Sequence, residues 1–376
     1  MWRNGSGGAA VSPLVSRLRR ADCSLSGISR RRRGRGFEYV DAAGGRVDDA
    51  ETLERIRALG IPPAWKEVWI CPDPNGHLQA VGTDAAGRRQ YRYHERWRQR
   101  RDQEKFDEML SFARTLPRLR EAAARDLRER GQRRELACAV RLLDRGFFRV
   151  GGEEYADGNG SYGLATLTKD HVELAGDGVL VFDYPAKSGK RRLQAVVDPD
   201  VYDVVAALKR RRGDRVFRIR SGEINAYIKE ATGADFSAKA FRTWHATVLA
   251  AVALAVSERA TSPTARKRAI SRAVSEVAHY LGNTPAVCRA SYIDPRVFDR
   301  YRAGITVSPA LDGLAQLDEE RSPSTQGAIE RAVLKLLAGE SRPRAPRPVA
   351  RGAEARRGRA AAGSRSRSSA GRGRRG

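Results

Sequence analysis

The sequence predicts an α+β fold, with a small antiparallel β-rich domain followed by a larger, mainly α-helical domain that contains a three-stranded β meander. Two observations predict it. Apolar and polar residues alternate in short runs through residues 37–94 and again through residues 162–197, which is the period of half-buried strands. Apolar residues recur at three- and four-residue spacing through most of residues 97–340, which is the period of amphipathic helices.

Residues 37–96 are predicted to form the β-rich domain. Its strands come from four alternating runs broken by Gly, Pro, Asn and Asp, namely FEYVDA, EVWICPD, HLQAVGTD and RQYRYH. A short helix is predicted at residues 51–59. In RQYRYH the period of two places Tyr91 and Tyr93 on one face of the strand, and Gln90 and Arg92 on the other.

Residues 97–340 are predicted to form the helical domain. Its first helix carries an apolar stripe at Phe106, Met109, Leu110 and Ala113, and we expect Pro117 to end it. The runs YGLATLTKDHVEL, VLVFDYPA and RRLQAVV, separated by GDG and KSGK turns, predict the meander. Apolar periods and capping residues predict further helices at residues 136–146, 201–209, 224–231, 238–256, 263–281 and 283–294.

Both ends of the chain are basic and offer little apolar surface to bury. Residues 1–36 are rich in Gly, Ser and Arg and are predicted to form a flexible arm. Residues 341–376 contain twelve Arg and a single acidic residue, Glu354, so this segment supplies +11 of the formal net charge of +26. It is predicted to be a disordered basic tail.

The charge of +26 and the pI of about 10.7 predict a polyanionic partner, with nucleic acid as the first candidate. Only ten of the 71 basic residues are lysine, so an Arg-favouring codon bias is an alternative source of part of this charge. The sequence contains neither a bilayer-spanning apolar run nor, in its opening MWRNGSGG, a signal peptide. We therefore expect a cytoplasmic protein without a membrane partner.

Several cofactor-dependent chemistries lack their motifs in this sequence. The GK at Gly189 has no P-loop around it, and no acidic cluster or HExxH pattern suggests a divalent metal site. The four cysteines are far apart, which predicts reduced thiols rather than disulfides or a zinc site: Cys23, Cys71, Cys138 and Cys288. We expect no metal or nucleotide cofactor, so that any phosphoryl chemistry runs on the cations of the protein itself.

Four segments of the helical domain resemble, in order, the catalytic domain of type IB DNA topoisomerases in their short bacterial and viral form. They are FFRVGGEEYADGNGSYGLATL, FDYPAKSGK, SAKAFRTWHATVLAA and EVAHYLGNTPAVCRASYIDP. The stretch GIPPAWKEVWICPDPNGHLQAVGTDAAGRRQYRYH resembles the N-terminal clamp domain of the same enzymes. The resemblance covers roughly residues 19–337 and implies the catalytic fold that these enzymes share with tyrosine recombinases.

The resemblance implies an enzyme that relaxes supercoiled duplex DNA through a transient 3′-phosphotyrosyl intermediate, as a monomer at the nucleoid and without ATP or metal. It makes Tyr292 the nucleophile and Lys187 the proton donor to the leaving oxygen, with Lys239 assisting that donor. It assigns contacts with the scissile phosphate to Arg149, Arg242 and Asn283. It implies that the strand formed by RQYRYH lies in the major groove. The implied DNA contacts are Arg88, Arg89, Gln90, Tyr91, Tyr93 and Tyr155.

These residue types suit the chemistry, because a tyrosine with a pKa near 10 needs nearby positive charge to attack as a phenolate. Arginine forks stay protonated and match the oxygens on which negative charge develops. Each residue also has a simpler structural explanation. Asn283 could cap a helix before Pro285, Tyr292 could pack in the core, and Tyr91 and Tyr93 could pack on a sheet face.

Three departures from the family pattern leave the local geometry open. Ala186 precedes the hairpin lysine where glycine is usual, Ala240 replaces an acidic residue, and Asn283 stands where viral members have histidine. Two other functions remain alternatives. A tyrosine recombinase shares the Arg, Lys, Arg and Tyr pattern, but usually has histidine at the position of Lys239. A non-catalytic basic DNA-binding protein would explain the charge without explaining the ordered motifs.

Overall fold

The computed structural model describes residues 17–257, 260, 262–315 and 325–341. The predicted tail, apart from Ser341, and the first sixteen residues of the predicted arm lie outside this part of the chain. Within it, a five-stranded antiparallel sheet precedes a mainly helical domain with a three-stranded meander. The predicted α+β class is therefore confirmed. None of the described helices is long and apolar enough to cross a membrane.

The N-terminal sheet has the strand order β2-β1-β3-β4-β5, with every neighbouring pair antiparallel. A small core lies between the sheet and one helix, where Ile56, Ile70 and Ala80 are almost completely buried. The elements are β1 (Ile28–Arg33), β2 (Gly36–Val40), α1 (Ala50–Ala58), β3 (Lys66–Ile70), β4 (Leu78–Thr83) and β5 (Arg89–Tyr93).

Strand β1 corrects the prediction that residues 1–36 form a flexible arm. Its run of arginines was interpreted from composition alone, yet Ile28 is buried and the strand pairs with both β2 and β3. Arg30 donates hydrogen bonds to the carbonyls of Ile61, Pro62 and Trp65, at 2.7 to 3.3 Å. A guanidinium with several fixed donors satisfies otherwise unpaired loop carbonyls, so a basic run can be a well-packed strand.

Helix α2 (Glu95–Asp126) connects the two domains. It begins against the N-terminal sheet, where the ring of Trp97 meets that of His77 edge-on at 4.9 Å. Its predicted end at Pro117 is wrong, because the helix continues for nine further residues. Leu116 and Leu119, on either side of the exposed proline, are each 1% exposed, and their burial offsets the roughly 3 kcal/mol that an internal proline costs.

The helical domain packs around one large apolar core. Trp244, Phe112 and Phe241 are among its fully buried side chains. The remaining described helices are α3 (Gln132–Gly146), α4 (Glu153–Asn159), α5 (Pro199–Lys209), α6 (Ser221–Thr232), α7 (Ala238–Val256), α8 (Pro263–Leu281), α9 (Pro285–Ser291), α10 (Pro295–Arg302), α11 (Ser308–Ala315) and α12 (Thr325–Ala338).

The meander consists of β6 (Val172–Gly176), β7 (Val179–Pro185) and β8 (Arg191–Val197), paired in sequence order. Its first strand is shorter than predicted, because Leu164–Thr166 and Lys169–His171 form 3-10 turns. The hydroxyl of Thr166 accepts from the backbone N–H of Gly163, and Nδ1 of His171 accepts from that of Thr168. These side chains offer the backbone a local alternative to strand pairing.

Candidate active site

A cleft of about 480 Å³ opens where the β7–β8 turn meets the C-terminal ends of α3 and α8 and the first half of α7. Its lining is dominated by cations and includes Arg149, Lys187, Lys190, Arg192, Arg242 and Asn283. Four of the six residues implied as catalytic therefore share one cleft. Four arginines line it. Arg191 is paired with Asp183, whereas no described carboxylate forms an ion pair with Arg149, Arg192 or Arg242.

Arg242 is 4% exposed and lies on the second turn of α7. Its guanidinium donates to the carbonyl of Phe147 at 2.7 Å and to that of Leu281 at 2.9 Å. These carbonyls lie at the C-terminal ends of α3 and α8, where partial negative charge favours a cation. Burial and the nearby charge of Arg149 still lower the pKa of Arg242 to about 10.

Arg149 and Asn283 form a hydrogen-bonded pair. Nη2 of Arg149 donates to Oδ1 of Asn283 at 2.6 Å, and because an arginine can only donate, this contact fixes the orientation of the amide. Nδ2 of Asn283 and Nε of Arg242 are then buried donors without a partner among the described residues. Buried donors are rarely left unsatisfied, so the cleft is suited to an added acceptor such as a phosphate oxygen.

Asn283 does not cap the following helix, as its simpler explanation required. Thr284 is the N-cap of α9, and its hydroxyl accepts from the backbone N–H of Val287 at 3.3 Å. Gly282 adopts a left-handed conformation at φ 63° and ends α8. Because α8 ends at this turn and Thr284 caps α9, the Asn283 side chain is available to accept the hydrogen bond from Arg149.

Tyr292 lies in the turn between α9 and α10, one residue beyond the helix that was predicted to carry it. The hydroxyl of the fully buried Thr247 accepts from the N–H of Asp294 at 3.2 Å, and it shares its own hydrogen between the carbonyl of Thr243 at 2.9 Å and that of Tyr292 at 3.3 Å. Because Thr247 and Arg242 both belong to α7, one helix holds the backbone of the tyrosine and the cation beside it.

The ring of Tyr292 is half-buried, with the guanidinium carbon of Arg242 at 5.4 Å from its centroid. Burial acts to raise the pKa of the Tyr292 hydroxyl, but the charges of Arg242 and Arg149 outweigh it, and the pKa lies below its ordinary value. The surroundings of this tyrosine therefore favour the phenolate, which is the nucleophilic form.

Lys187 and Lys190 lie on the β7–β8 turn, and both side chains are exposed in the cleft. The turn closes through hydrogen bonds from the N–H of Ala186 to the carbonyl of Lys190 and from that of Gly189 to the carbonyl of Ala186. Ser188 and Gly189 both have positive φ, 64° and 69°. Ala186 thus fits the turn, and the left-handed positions fall after the first lysine.

Lys239 is exposed in the first turn of α7, one turn before Arg242. Like Tyr292, it is not among the described residues that line the cleft. Ala240 donates its N–H to the carbonyl of Ser237 within the same turn. The role implied for Lys239 remains a prediction.

Arg192 is a cleft residue to which the sequence motifs assigned no role. It lies on β8, whose exposure alternates so that Arg192, Gln194 and Val196 face inward and Arg191, Leu193 and Ala195 face outward. The signal was available, because the period of two in RRLQAVV predicts this face, and an arginine on the inward face of a strand is unusual.

The predicted DNA-contacting residues of the N-terminal domain cluster on and just before β5. Tyr91 and Tyr93 share one face, are 46% and 40% exposed, and stack with ring centroids 6.1 Å apart. Gln90 and Arg88 both donate to Asp84, and Arg89 contacts the sulfur of Cys23. The tyrosines therefore do not pack under the sheet. Tyr155 belongs to α4, but its side chain lies outside the described part of the chain.

Comparison with known proteins gives a consistent family. The profile described as the eukaryotic DNA topoisomerase I catalytic core matches residues 94–308. DNA topoisomerase 1B of Acanthamoeba polyphaga mimivirus is 34% identical over 298 residues, which are 74% of this chain and 88% of the viral protein. The chain belongs to the type IB DNA topoisomerase family. It is thus a type I DNA topoisomerase, and the recombinase and non-catalytic alternatives are not needed.

Other comparisons match only part of the chain. The profile of the bacterial DNA topoisomerase IB N-terminal domain matches residues 36–84, within the five-stranded sheet. DNA topoisomerase 1 of Daucus carota is 30% identical over 121 residues, which are 31% of this chain and 15% of the plant protein. DNA topoisomerase 1 beta of Arabidopsis thaliana is 28% identical over 152 residues, 39% of this topoisomerase and 16% of the plant protein.

Proposed function

We propose that this topoisomerase relaxes supercoiled duplex DNA with Tyr292 as its nucleophile. The hydroxyl attacks a backbone phosphorus and forms a 3′-phosphotyrosyl bond while the 5′ oxygen leaves as a hydroxyl. The free strand rotates, and the 5′ hydroxyl then attacks the phosphotyrosyl bond to restore the DNA and the tyrosine. A phosphodiester replaces a phosphodiester in each step, so the strand can be resealed without an external energy source.

The observation that carries this proposal is the pairing of Tyr292 with uncompensated positive charge. Arg242 and Arg149 favour the phenolate, and the buried donors Nε of Arg242 and Nδ2 of Asn283 have no described acceptor. A pentavalent phosphorane places additional negative charge on non-bridging oxygens, which need such donors. Donors fixed before the reaction stabilise this charge more than the ground state, and each can contribute several kcal/mol.

We assign the proton donor for the leaving oxygen to Lys187, in keeping with the position of the lysine in the family motif. The β7–β8 turn exposes its side chain at the cleft, and an exposed lysine can supply a proton to a leaving oxygen. Lys190 occupies the same turn and is the direct competitor.

We assign duplex contacts to Tyr91, Tyr93 and the neighbouring residues of β5, because the two exposed rings suit contact with base edges in a groove.

Incubation of the protein with negatively supercoiled plasmid in EDTA and without ATP tests the proposal. We expect complete relaxation by the wild-type protein and none by Tyr292→Phe, which lacks only the hydroxyl. Relaxation that needs added Mg²⁺ or ATP, or that persists in Tyr292→Phe, would contradict it. A plasmid that carries paired candidate recombination sites serves as a control, and we expect topoisomers without recombined products.

We also propose that the enzyme acts as a monomer on DNA in the cytoplasm. Arg242 and Arg149, whose charges act on the Tyr292 hydroxyl, belong to the same chain as the tyrosine, so the proposed chemistry needs no residue from a second copy. Light scattering during size-exclusion chromatography, with and without a short duplex, tests the monomer. A stable dimer that is required for relaxation would contradict it.

A further inference from the structure

We infer that Arg192 binds a phosphate of the cleaved strand next to the scissile phosphate, and so serves as a further DNA-positioning residue of this active site. The inference rests on the proposed function, because it presupposes that the cleft receives the DNA backbone. It adds a residue outside the set of Tyr292, Arg149, Arg242, Lys187 and Asn283.

The strand register fixes where Arg192 lies. It pairs with Tyr184 across β7 and β8, and Tyr184 is 3% exposed. Nε of Arg192 donates to Oε1 of Gln194 at 2.8 Å, and Nη1 lies 3.5 Å from the carbonyl of His279, near the end of α8. The guanidinium therefore crosses the cleft from the meander towards the turn that carries Asn283.

The hydrogen bonds of Arg192 leave donors for a ligand. It has one short bond, to Gln194, and one long one, to His279, and its Nη2 has no partner among the described residues. Arg30 in the N-terminal sheet shows the contrasting case, because three carbonyls accept from its guanidinium. A planar guanidinium with a free edge matches two oxygens of a phosphate.

The electrostatic surroundings favour an anion at this position. Arg192 is half-buried and has no ion pair with a described carboxylate, whereas its neighbour Arg191 is bidentate on Asp183. Burial, together with the charge of Arg149, lowers the pKa of Arg192. Three arginines without carboxylates thus converge in one cleft, and repulsion among them is relieved when a polyanion enters.

The scissile phosphate is the less suitable ligand for Arg192. The charges that act on the Tyr292 hydroxyl come from Arg242 and Arg149, and Arg149 is hydrogen-bonded to Asn283. Arg192 instead contacts Gln194 and the carbonyl of His279, and it shares neither contact with Arg149 or Arg242. Neighbouring phosphates along one strand lie several ångströms apart, so a cation with separate contacts in the same cleft is suited to the adjacent phosphate.

The test uses the full-length protein and a duplex on which wild-type cleavage has first been mapped. Single-turnover adduct formation is compared for wild type, Arg192→Gln and Arg191→Gln, the last as a control on the same strand. We expect Arg192→Gln to slow cleavage about 10- to 100-fold, as for loss of a charged hydrogen bond. We expect Arg191→Gln to remain within about twofold, because its guanidinium is engaged by Asp183. Arg192→Lys should recover part of the rate.

A neutral methylphosphonate, placed at one phosphate at a time, identifies the contact. At the phosphate that Arg192 binds, we expect the substitution to slow the wild type and to leave Arg192→Gln unchanged, because both changes remove the same interaction. Additive losses at both adjacent phosphates, or equal rates for Arg192→Gln and wild type, would overturn the inference. Coupling only at the scissile phosphate would overturn the assignment to its neighbour.

Thermal unfolding separates misfolding from lost contact, and we expect the melting temperatures of Arg192→Gln and wild type to agree. If Arg192→Gln melts earlier, the methylphosphonate comparison still decides, since it compares substrates on one protein, and Arg192→Lys tests whether a positive charge at this position restores the rate. Failure of the proposed function looks different. In that case the wild type itself would form no adduct on any duplex.

Discussion

Arginines in two regions of the helical domain have opposite kinds of partner. Arg120 on α2 binds two carboxylates, with bidentate contacts of 2.6 to 2.9 Å to Asp144 and Glu330. Its pKa is raised above the ordinary value, because these hydrogen bonds outweigh burial. The cleft arginines Arg242 and Arg192 have only neutral acceptors, and burial lowers their pKa.

The charge of Arg120 stabilises the fold, whereas we propose that the charges of the cleft arginines bind DNA. The Arg120 group links α2, α3 and α12, and Nε1 of Trp244 donates to Glu330 at 2.9 Å, so its charges are satisfied within the protein. In the cleft, we propose that the partner is a DNA phosphate. Removing one member of a satisfied group exposes buried charge, whereas removing one member of an uncompensated group relieves repulsion. The same substitution should therefore lower the free energy of unfolding in the first region and leave it almost unchanged in the second.

The largest effect is expected from Tyr292→Phe, which tests the cleft as a chemical site. Adduct formation should fall from stoichiometric to undetectable, because the bond to phosphorus has no other nucleophile in the turn after α9. Binding to an uncleaved duplex should stay within about threefold, since the arginines remain. The measurement is denaturing gel analysis of protein trapped on end-labelled DNA. A trapped 3′-phosphate adduct in Tyr292→Phe would show that another residue attacks.

The next largest effect compares Arg149→Gln with Arg120→Gln, the same chemical change in the two regions. Arg149→Gln should slow cleavage by about 10²–10³-fold, as for loss of one fixed transition-state donor, with little change in the free energy of unfolding. Arg120→Gln should lower the free energy of unfolding by about 3–5 kcal/mol, because Asp144 and Glu330 stay buried without their partner. Urea denaturation and single-turnover cleavage measure the two quantities. Similar destabilisation by both variants would contradict the distinction between a catalytic role for Arg149 and a stabilising role for Arg120.

The pH dependence of the free energy of unfolding also distinguishes Arg120→Gln from Arg149→Gln. Burial acts to raise the pKa of Asp144, but Nε2 of His245 at 3.4 Å and two hydrogen bonds from Arg120 hold it well below its usual range. Because its folded pKa is depressed, its contribution to stability is present above the unfolded pKa of about 4 and is lost as the pH falls through the folded value. Arg120→Gln should flatten this loss in the acid range. Arg149→Gln should keep the wild-type profile.

The sequence predicted the residues of the proposed catalytic site better than the neighbouring residues that contact them. Arg149, Arg242, Asn283 and Tyr292 come from separate segments, and the ordered resemblance placed them in one site because the motif positions carry that information. Arg192 was missed, since a single arginine among 71 basic residues carries little signal without its strand face. Thr247 was missed because a buried threonine that anchors a turn has no distinctive local pattern.

The fold was predicted where periodicity and caps agree. The bounds of α7 and α8 match the predicted helices, with Ser237 and Pro263 at their starts. The errors have tertiary causes, since β1 depends on carbonyls supplied by residues 61–65 and α2 continues past Pro117 because flanking leucines are buried. Such contacts join distant parts of the chain and leave no trace in local composition.

A smaller and more specific effect concerns the two lysines of the β7–β8 turn. If Lys187 is the general acid, Lys187→Ala should cleave normal DNA slowly and recover most of its rate when sulfur replaces the 5′ bridging oxygen, since a thiolate leaves without a proton. Lys190→Ala is the matched control and should change little on either substrate. Arg149→Ala should stay impaired on both. Rescue of Lys190→Ala, or no rescue of Lys187→Ala, would reverse the assignment.

The smallest effect is expected from the Arg-rich segment after Glu340, which represents a third use of charge, distinct from both groups of arginines. Its twelve arginines and single acidic residue are spaced without apolar periodicity, so we expect them to bind DNA through charge alone, by releasing counterions from phosphates. Truncation after Glu340 should lower the slope of log affinity against log salt and leave the single-turnover cleavage rate at saturating protein within about twofold. Fluorescence anisotropy on a labelled duplex over a range of salt concentrations measures the slope.

Arg149→Gln provides the contrast to the truncation, because it removes one charge and should change the cleavage rate far more than the salt slope. An unchanged slope after truncation would mean that the segment does not touch DNA, and a slower saturated rate would mean that it contributes to the active site.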